Sequence, residues 1–413
     1  MPAPAVQHAA DAPPARHAAA ADRDVPVARA GEFRPLALGP LRIWPPVVLA
    51  PMAGVTNYPF RTLCREYGAG LYVSEMITAR GWREGNALTR KLASGHPDER
   101  PRSVQLYGTD PLDVREAARG LVDDGVEHLD LNFGCPVPKI TRHGGGSAVP
   151  AKPRLMARIV RAAVEGAGRV PVTVKVRKGL DDQLLTFRDA GRVAEAEGAA
   201  AIGLHARTAA QLYAGAADWD AVAALKATVR IPVLGNGDVW ECWDALRLMR
   251  RTGCDGVIVG RGCLRRPWLF AELAAVFDGR EPDPPPTLGR VAALVRRHAA
   301  LLVAFFGEDV GVRQMRKWCG WYLTGFRGSA QLRARLSRMA SLDELDAVLA
   351  GVDPDEPFPM HTVRANRVKD GRTQKRVALP DGFLTDRLTD DTPPSGPRDP
   401  AERAAWERAL DGG

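Results

Sequence analysis

Short runs of apolar and β-branched residues recur through the first two thirds of the chain. They are VVLAPM at 47–52, LYVSEM at 71–76, RSVQLY at 102–107, HLDLNF at 128–133, VTVKVR at 172–177, AIGLH at 201–205, PVLGN at 232–236 and GVIVG at 256–260. Most of the intervals carry apolar positions at helical spacing, as in PLDVREAARGLVDDG at 111–125, PRLMARIVRAAVEGAG at 153–168, TFRDAGRVAEAEGA at 186–199 and AVAALKATV at 221–229. Strands that alternate with helices must pair in parallel through crossovers. Eight such units match a closed (β/α)8 TIM barrel over residues 33–280 better than an open doubly wound sheet. No G-x-G-x-x-G follows the first strand, which disfavours a Rossmann dinucleotide site.

The pattern then changes. DGREPDPPPT at 278–287 reads as a linker, and 288–350 shows helical periodicity only. Between 290 and 340 ten basic residues face two acids, Glu308 and Asp309, so the second unit is a small basic helical domain suited to a polyanion. Residues 1–32 are rich in Ala and Pro with no apolar signal core, and read as a disordered leader. Residues 352–413 form a polar extension, with a hairpin expected around Asp370-Gly371.

Composition narrows the function classes. Of 413 residues, 45% are hydrophobic and 26% charged, which excludes wholesale disorder. No run approaches the roughly 18 apolar residues of a membrane span. The net charge of +8 favours an anionic partner. Six cysteines without C-x-x-C spacing indicate reduced thiols and a cytoplasmic protein.

Chemistry in a barrel sits at the carboxyl ends of the strands. The first strand ends APMAGVT, small residues that let main chain approach a flat ligand. Gln105 offers an amide that matches the donor and acceptor edge of a flavin, or satisfies the core. Cys135, between Gly134 and Pro136 just past the fourth strand, suits a general acid or a thiolate nucleophile. Lys175 inside the fifth strand calls for an anionic partner, such as a reduced flavin, or serves as a Schiff-base lysine. His205 ends the sixth strand within HART. Glycine-rich GNGDV (235–239) and VGRG (259–262) follow the last two strands, where barrels hold phosphate, and Arg261 adds a charge. The glycine-rich loop TRHGGGSAVPAK at 141–152 reads as a mobile lid.

Taken together, APMAGVTNYPFR, the Gln105 strand, LNFGCPVPK, VTVKVRKG, HART, GNGDV and VGRG resemble the bacterial tRNA-dihydrouridine synthases, most of all their B-type branch. The resemblance covers about residues 33–350. It implies an FMN barrel that uses NADPH to reduce uridines in the tRNA D-loop. Pro51, Met52, Ala53, Gln105, Lys175, His205, Asn236, Gly237, Asp238, Gly260 and Arg261 would bind FMN, and Cys135 would be the proton donor. Asn132 and Arg177 at the mouth, with Arg313, Arg316, Lys317 and Arg327 on the helical domain, are the expected tRNA contacts. The expectation is a monomer without metal or membrane. Ala206 stands where the family usually has Gly, and the 141–152 loop departs from the common form. Three alternatives share some of these features: an FMN-dependent oxidoreductase of a free pyrimidine, of the dihydroorotate dehydrogenase kind, a Schiff-base aldolase, and a non-enzymatic RNA-binding protein.

Overall fold

Eight parallel strands close into a barrel in a computed structural model that describes residues 25–364 and 375–389. The strands are β1 (Leu36–Leu38), β2 (Leu41–Ile43), β3 (Val47–Leu49), β4 (Leu71–Thr78), β5 (Ser103–Tyr107), β6 (His128–Phe133), β7 (Val172–Arg177), β8 (Ala201–His205), β9 (Val233–Asn236) and β10 (Gly256–Val259). Strands β3 to β10 form the barrel, each beside its chain neighbours, and β10 closes on β3 with Val257 opposite Val47 and Val259 opposite Leu49. The TIM barrel expected from the strand rhythm is therefore present, with every expected strand in place. Both faces of these strands are covered, which is why they read as near-continuous apolar runs.

The crossover helices form where apolar spacing and start signals coincide. Helix Pro111–Asp123 begins with Pro111 after an Asp110 cap that accepts from Leu112 N. Helix Pro153–Ala167 buries Leu155, Met156, Ile159, Val160, Ala163 and Ala167 on one face. Gly166 lets the two helices touch, since a Cβ there would stand 2.3 Å from Arg115 O.

β1 and β2 form an antiparallel hairpin with Leu36 opposite Ile43. Leu36, Leu38 and Ile43 pack with Val48, Leu71, Val73, Ala201, Leu234 and Ile258 and shut the amino-terminal end of the barrel. The chain packs from further upstream than the expected leader boundary. Ala28 is buried and its N donates to Val276 O, while Arg250 pairs with Glu32 and bonds Pro26 O. The hairpin expected around Asp370-Gly371 lies outside the described residues.

Helices Leu288–Phe306, Glu308–Tyr322, Ser329–Leu336 and Leu342–Leu349 form the expected second unit. It is joined to the barrel through a buried aromatic seam. Phe60, on helix Tyr58–Glu66, stacks on Trp318 at 4.6 Å, and His298 sits between Trp318 and Tyr322, its Nδ1 3.0 Å from Tyr322 Oη. Burial pushes the His298 pKa down to about 3, so this histidine is neutral. Arg265 is buried with its guanidinium on the carbonyls of Trp321, Thr324 and Thr362. No described helix is long and apolar enough to cross a membrane.

The hairpin floor sets a stability test. Leu38→Ala opens a void under the barrel and is expected to cost about 2–5 kcal/mol, as for other buried leucines. A lowered urea midpoint at unchanged slope is the expected measurement.

Candidate active site

The geometry of the mouth begins with one buried carboxylate. Asp130, at the centre of β6, accepts from Thr173 Oγ1 at 2.6 Å and from Gln105 Nε2 at 2.6 Å. A carboxylate acceptor forces Gln105 to turn its NH₂ inward, so Gln105 Oε1 faces Asn132 and accepts from its Nδ2 at 2.8 Å. Asn132 Oδ1 must then point onward, where it accepts from Gly134 N at 3.1 Å and Cys135 N at 2.9 Å. A line of fixed amides thus runs from the barrel axis to the backbone of Cys135. At its inner end Thr173 Oγ1 lies 3.1 Å from His128 Nε2, and His128 Nδ1 lies 2.7 Å from Ser103 Oγ. Burial raises the Asp130 pKa to about 6 against the bonds from Thr173 and Gln105, and lowers that of His128 to about 3.

Cys135 is held from a second side. Ser147 N donates to Cys135 O at 3.0 Å, and Gly146, at φ +55°, passes so close that a Cβ would stand 2.5 Å from that oxygen. Residues 144–151 are buried and include the short turn Gly146–Ala151. The loop read as a mobile lid is a packed wall, because its glycines serve close approach to Cys135 and not freedom of motion. Burial pushes the Cys135 thiol up, outweighing the Val137 amide and the Arg177 charge, so it carries its proton at neutral pH. A protonated thiol suits the acid reading better than the nucleophile.

Two residues expected at tRNA, Asn132 and Arg177, are tied into this scaffold. Both ends of the Asn132 amide are engaged, as above. Arg177 is buried, with Nε on Gly134 O at 2.9 Å and Nη1 on Thr208 O and Leu212 O, each at 2.8 Å. Its fork of donors ties the Cys135 loop to the loop after β8 and is turned away from solvent.

The facing rim is rich in cations. Lys175 Nζ donates to Asn236 Oδ1 at 3.0 Å, and Asn236 Nδ2 donates to Ile258 O at 2.8 Å. Burial, then the Arg177 charge, lowers the Lys175 pKa to about 8, with Asp130 opposing. His205 is buried and pushed well below its usual range by burial and the surrounding cations, so it is neutral. The Asp238 carboxylate accepts from Arg207 Nη2 at 2.8 Å on both oxygens and from Ala217 N at 2.7 Å, and Arg261 stands 3.8 Å away. Asp238 therefore holds two arginines in place. Gly237, at φ +133°, has no room for a side chain, since a Cβ would lie 2.6 Å from Ala217 Cβ.

Arg207 is the residue missed in the sequence, although HART displays it two positions after His205. Its Nη1 is buried without a hydrogen-bond partner among the described residues, 3.7 Å from where a Gly237 Cβ would stand. An orphaned guanidinium donor beside a bare glycine and Arg261 fits a phosphate monoester. Pro51, Met52 and Ala53 close the remaining side. Ala50 N bonds Val259 O, and Met52 Sδ lies 3.7 Å from a Gly260 Cβ position. Asp130 was also missed; its signal was an acid set within an apolar strand.

The helical domain divides the expected basic contacts. Lys317 Nζ donates to Gly54 O at 2.6 Å, and Gly54 N donates to Glu75 Oε2 at 2.7 Å, so Lys317 fastens the domain to the loop after β3. Arg316 puts Nε and Nη2 on Met339 O at 3.0 and 2.8 Å. Both are half-buried and make ties within the fold. Arg313 and Arg327 are exposed, as are Arg335 and Arg338.

With this geometry established, comparisons with known proteins are decisive. The family described as "Dihydrouridine synthase (Dus)" matches residues 48–353. The chain belongs to the dihydrouridine synthase family. It is 54% identical over 363 residues to a "Probable tRNA-dihydrouridine synthase" of Mycobacterium tuberculosis H37Rv, covering 85% of this chain and 92% of that one. It is 42% identical over 327 residues to "tRNA-dihydrouridine synthase B" of Xanthomonas axonopodis pv. citri, covering 77% and 98%. The chain is thus an oxidoreductase of the dihydrouridine synthase family.

The carboxylate at the root of the amide line offers a test. Asp130→Asn replaces two acceptor contacts of a carboxylate by one acceptor and one donor, at an expected cost of about 1–3 kcal/mol. Asp130 titrates at about 6 when folded and at about 3.9 when unfolded, so the folded state holds an extra proton between these values. Wild-type stability from this group is therefore lost as pH rises from about 4 to about 6. Denaturant titrations across that range are expected to show wild-type stability falling relative to that of the variant as pH rises, whatever slope the buried histidines give to both.

Proposed function

We propose that this dihydrouridine synthase reduces uridines of the tRNA D-loop to 5,6-dihydrouridine, with FMN across the barrel mouth, NADPH as reductant and Cys135 as the acid. One observation carries the reading: a proton-bearing thiol on the loop after β6 and a cation-rich, glycine-lined cradle after β9 and β10 lie at the same, carboxyl end of the barrel. Arg207, Arg261 and the backbone at Gly237 and Gly260 would hold the FMN phosphate. Gln105 has an N–H and a lone pair to spare for the ring edge, and Lys175 would set a positive charge beside it. Pro51, Met52 and Ala53 would form a flat, side-chain-poor shelf under the ring. When bound, FMN supplies the hydride that saturates C6 of uracil.

The chain's own residues do the rest. Cys135 Sγ delivers a proton to C5 from the opposite face as negative charge develops on the ring, and its burial keeps that proton in place until then. The amide line and Arg177 hold the Cys135 backbone still, so the thiol meets the base at one position. A uridine inside folded RNA must leave its stack to enter such a mouth. The exposed arginines of the helical domain would grip phosphates while it does so.

Two measurements test this reading. Cys135→Ala is expected to retain FMN and its reduction by NADPH while dihydrouridine formation falls by roughly 10²–10⁴. Product yields equal to wild type, measured by mass spectrometry of tRNA nucleosides, would remove Cys135 as the acid. Reversing Arg313 and Arg335 to Glu is expected to weaken tRNA binding and to shallow its log–log salt dependence by about 0.7–0.9 for each phosphate that is no longer neutralised. Filter binding at several salt concentrations reads both quantities, and activity on free uridine without tRNA would favour the free-pyrimidine oxidoreductase.

A further inference from the structure

The carboxyl-terminal extension lies outside the matched family segment, which ends at residue 353, yet part of it is packed. Residues 375–389 run across three loops at the carboxyl ends of the barrel strands. Lys375 N donates to Ala210 O at 2.9 Å in the loop after β8. Phe383 is 5% exposed and is clustered with Leu180 from the loop after β7, Ala209 from the loop after β8, and Ala148 and Ala151 from the turn after β6. Arg387 Nε donates to Ala151 O at 3.0 Å. Lys152, which ends that turn, donates to Thr389 Oγ1 at 2.8 Å and holds its ammonium 5.0 Å from the Phe383 ring centre.

The turn so clamped, Gly146–Ala151, carries the Ser147 N–H that holds Cys135 O at 3.0 Å. Inside the barrel Cys135 is fixed by Asn132; outside, its carbonyl rests on this turn, and the turn rests on Phe383 and Arg387. We propose that residues 375–389 are a positioning strap for Cys135, with Phe383 and Arg387 as its positioning residues. Phe383 and Arg387 reach Cys135 through the turn Gly146–Ala151. Through Lys375 and Phe383 the strap also touches Ala210 and Ala209 in the loop that carries Arg207, so flavin reduction serves as the reference that separates an effect on the cradle from one on the thiol. The inference rests on Cys135 being the acid of the proposed reaction.

The test uses the full chain with FMN, comparing wild type, Phe383→Ala, Phe383→Leu and Arg387→Met. The first readout is the rate at which iodoacetamide alkylates Cys135, followed by peptide mass spectrometry. The second is kcat and KM for dihydrouridine formation on tRNA, with NADPH-driven flavin reduction as an internal reference. Faster alkylation in Phe383→Ala and Arg387→Met is expected. So is a fall in kcat of about tenfold or more with KM for tRNA within about twofold, since small displacements of a reacting group cost rate more than binding. Phe383→Leu refills the pocket and is expected to restore both, and flavin reduction is expected to be the same throughout. Unchanged alkylation in both variants overturns the strap, as does a lower kcat with unchanged alkylation. Should Phe383→Ala fail to fold, Arg387→Met removes a single half-buried contact and gives the same readouts. Loss of the proposed function is seen separately: a wild type that makes no dihydrouridine, or a fully active Cys135→Ala, overturns the acid role whatever the alkylation rates show.

Discussion

A carboxylate sealed inside a barrel has to be met by donors, and Asp130 sits too deep for water to supply them. Thr173 and Gln105 do so, and from that requirement the orientation of every amide out to Cys135 follows. Either amide alone could be flipped without steric cost, since O and N are nearly the same size. Anchored to an acceptor at one end and to backbone N–H groups at the other, neither can turn. The barrel wall supplies the rigidity, and the polar line supplies the direction.

The same mouth gathers Lys175, Arg177, Arg207 and Arg261 within mutual electrostatic reach, with burial and neighbouring cations depressing Lys175, Arg177 and Arg261. Arg177 directs its charge at carbonyl oxygens and Arg207 at Asp238, which leaves an excess of positive potential on the β9 and β10 side. His205 stays neutral in that field and donates or accepts without adding to it. A dianionic phosphate on that side would relieve repulsion as well as accept hydrogen bonds. Asp238 contributes from behind, by aiming the arginines.

Much of the barrel was legible because parallel strands covered on both faces must be written as apolar runs, and those runs ended at the residues that line the mouth. The β1–β2 hairpin was not, since two three-residue strands around Gly39 leave no periodicity to detect. Charge in the helical domain was legible but its direction was not. Lys317 and Arg316 look like any other surface basics in the sequence, and only the fold brings Gly54 O and Met339 O within their reach. The glycines at 144–146 misled in a different way. A glycine run means freedom or close approach, and the sequence has no mark that separates them until Cys135 O is seen against Gly146. Asp130 and Arg207 were in plain view within their motifs, but partners 25 and 31 residues away gave them their roles.

The hairpin floor has a kinetic corollary. Leu36, Leu38 and Ile43 stop the lower end of the barrel, so whatever reaches Cys135 arrives over the upper rim. Under the proposed activity a nicotinamide and a nucleobase would each need that same doorway. They would have to take turns, one leaving before the other enters. Under that activity the enzyme would run as a double displacement, in which an excess of either visitor would slow the other.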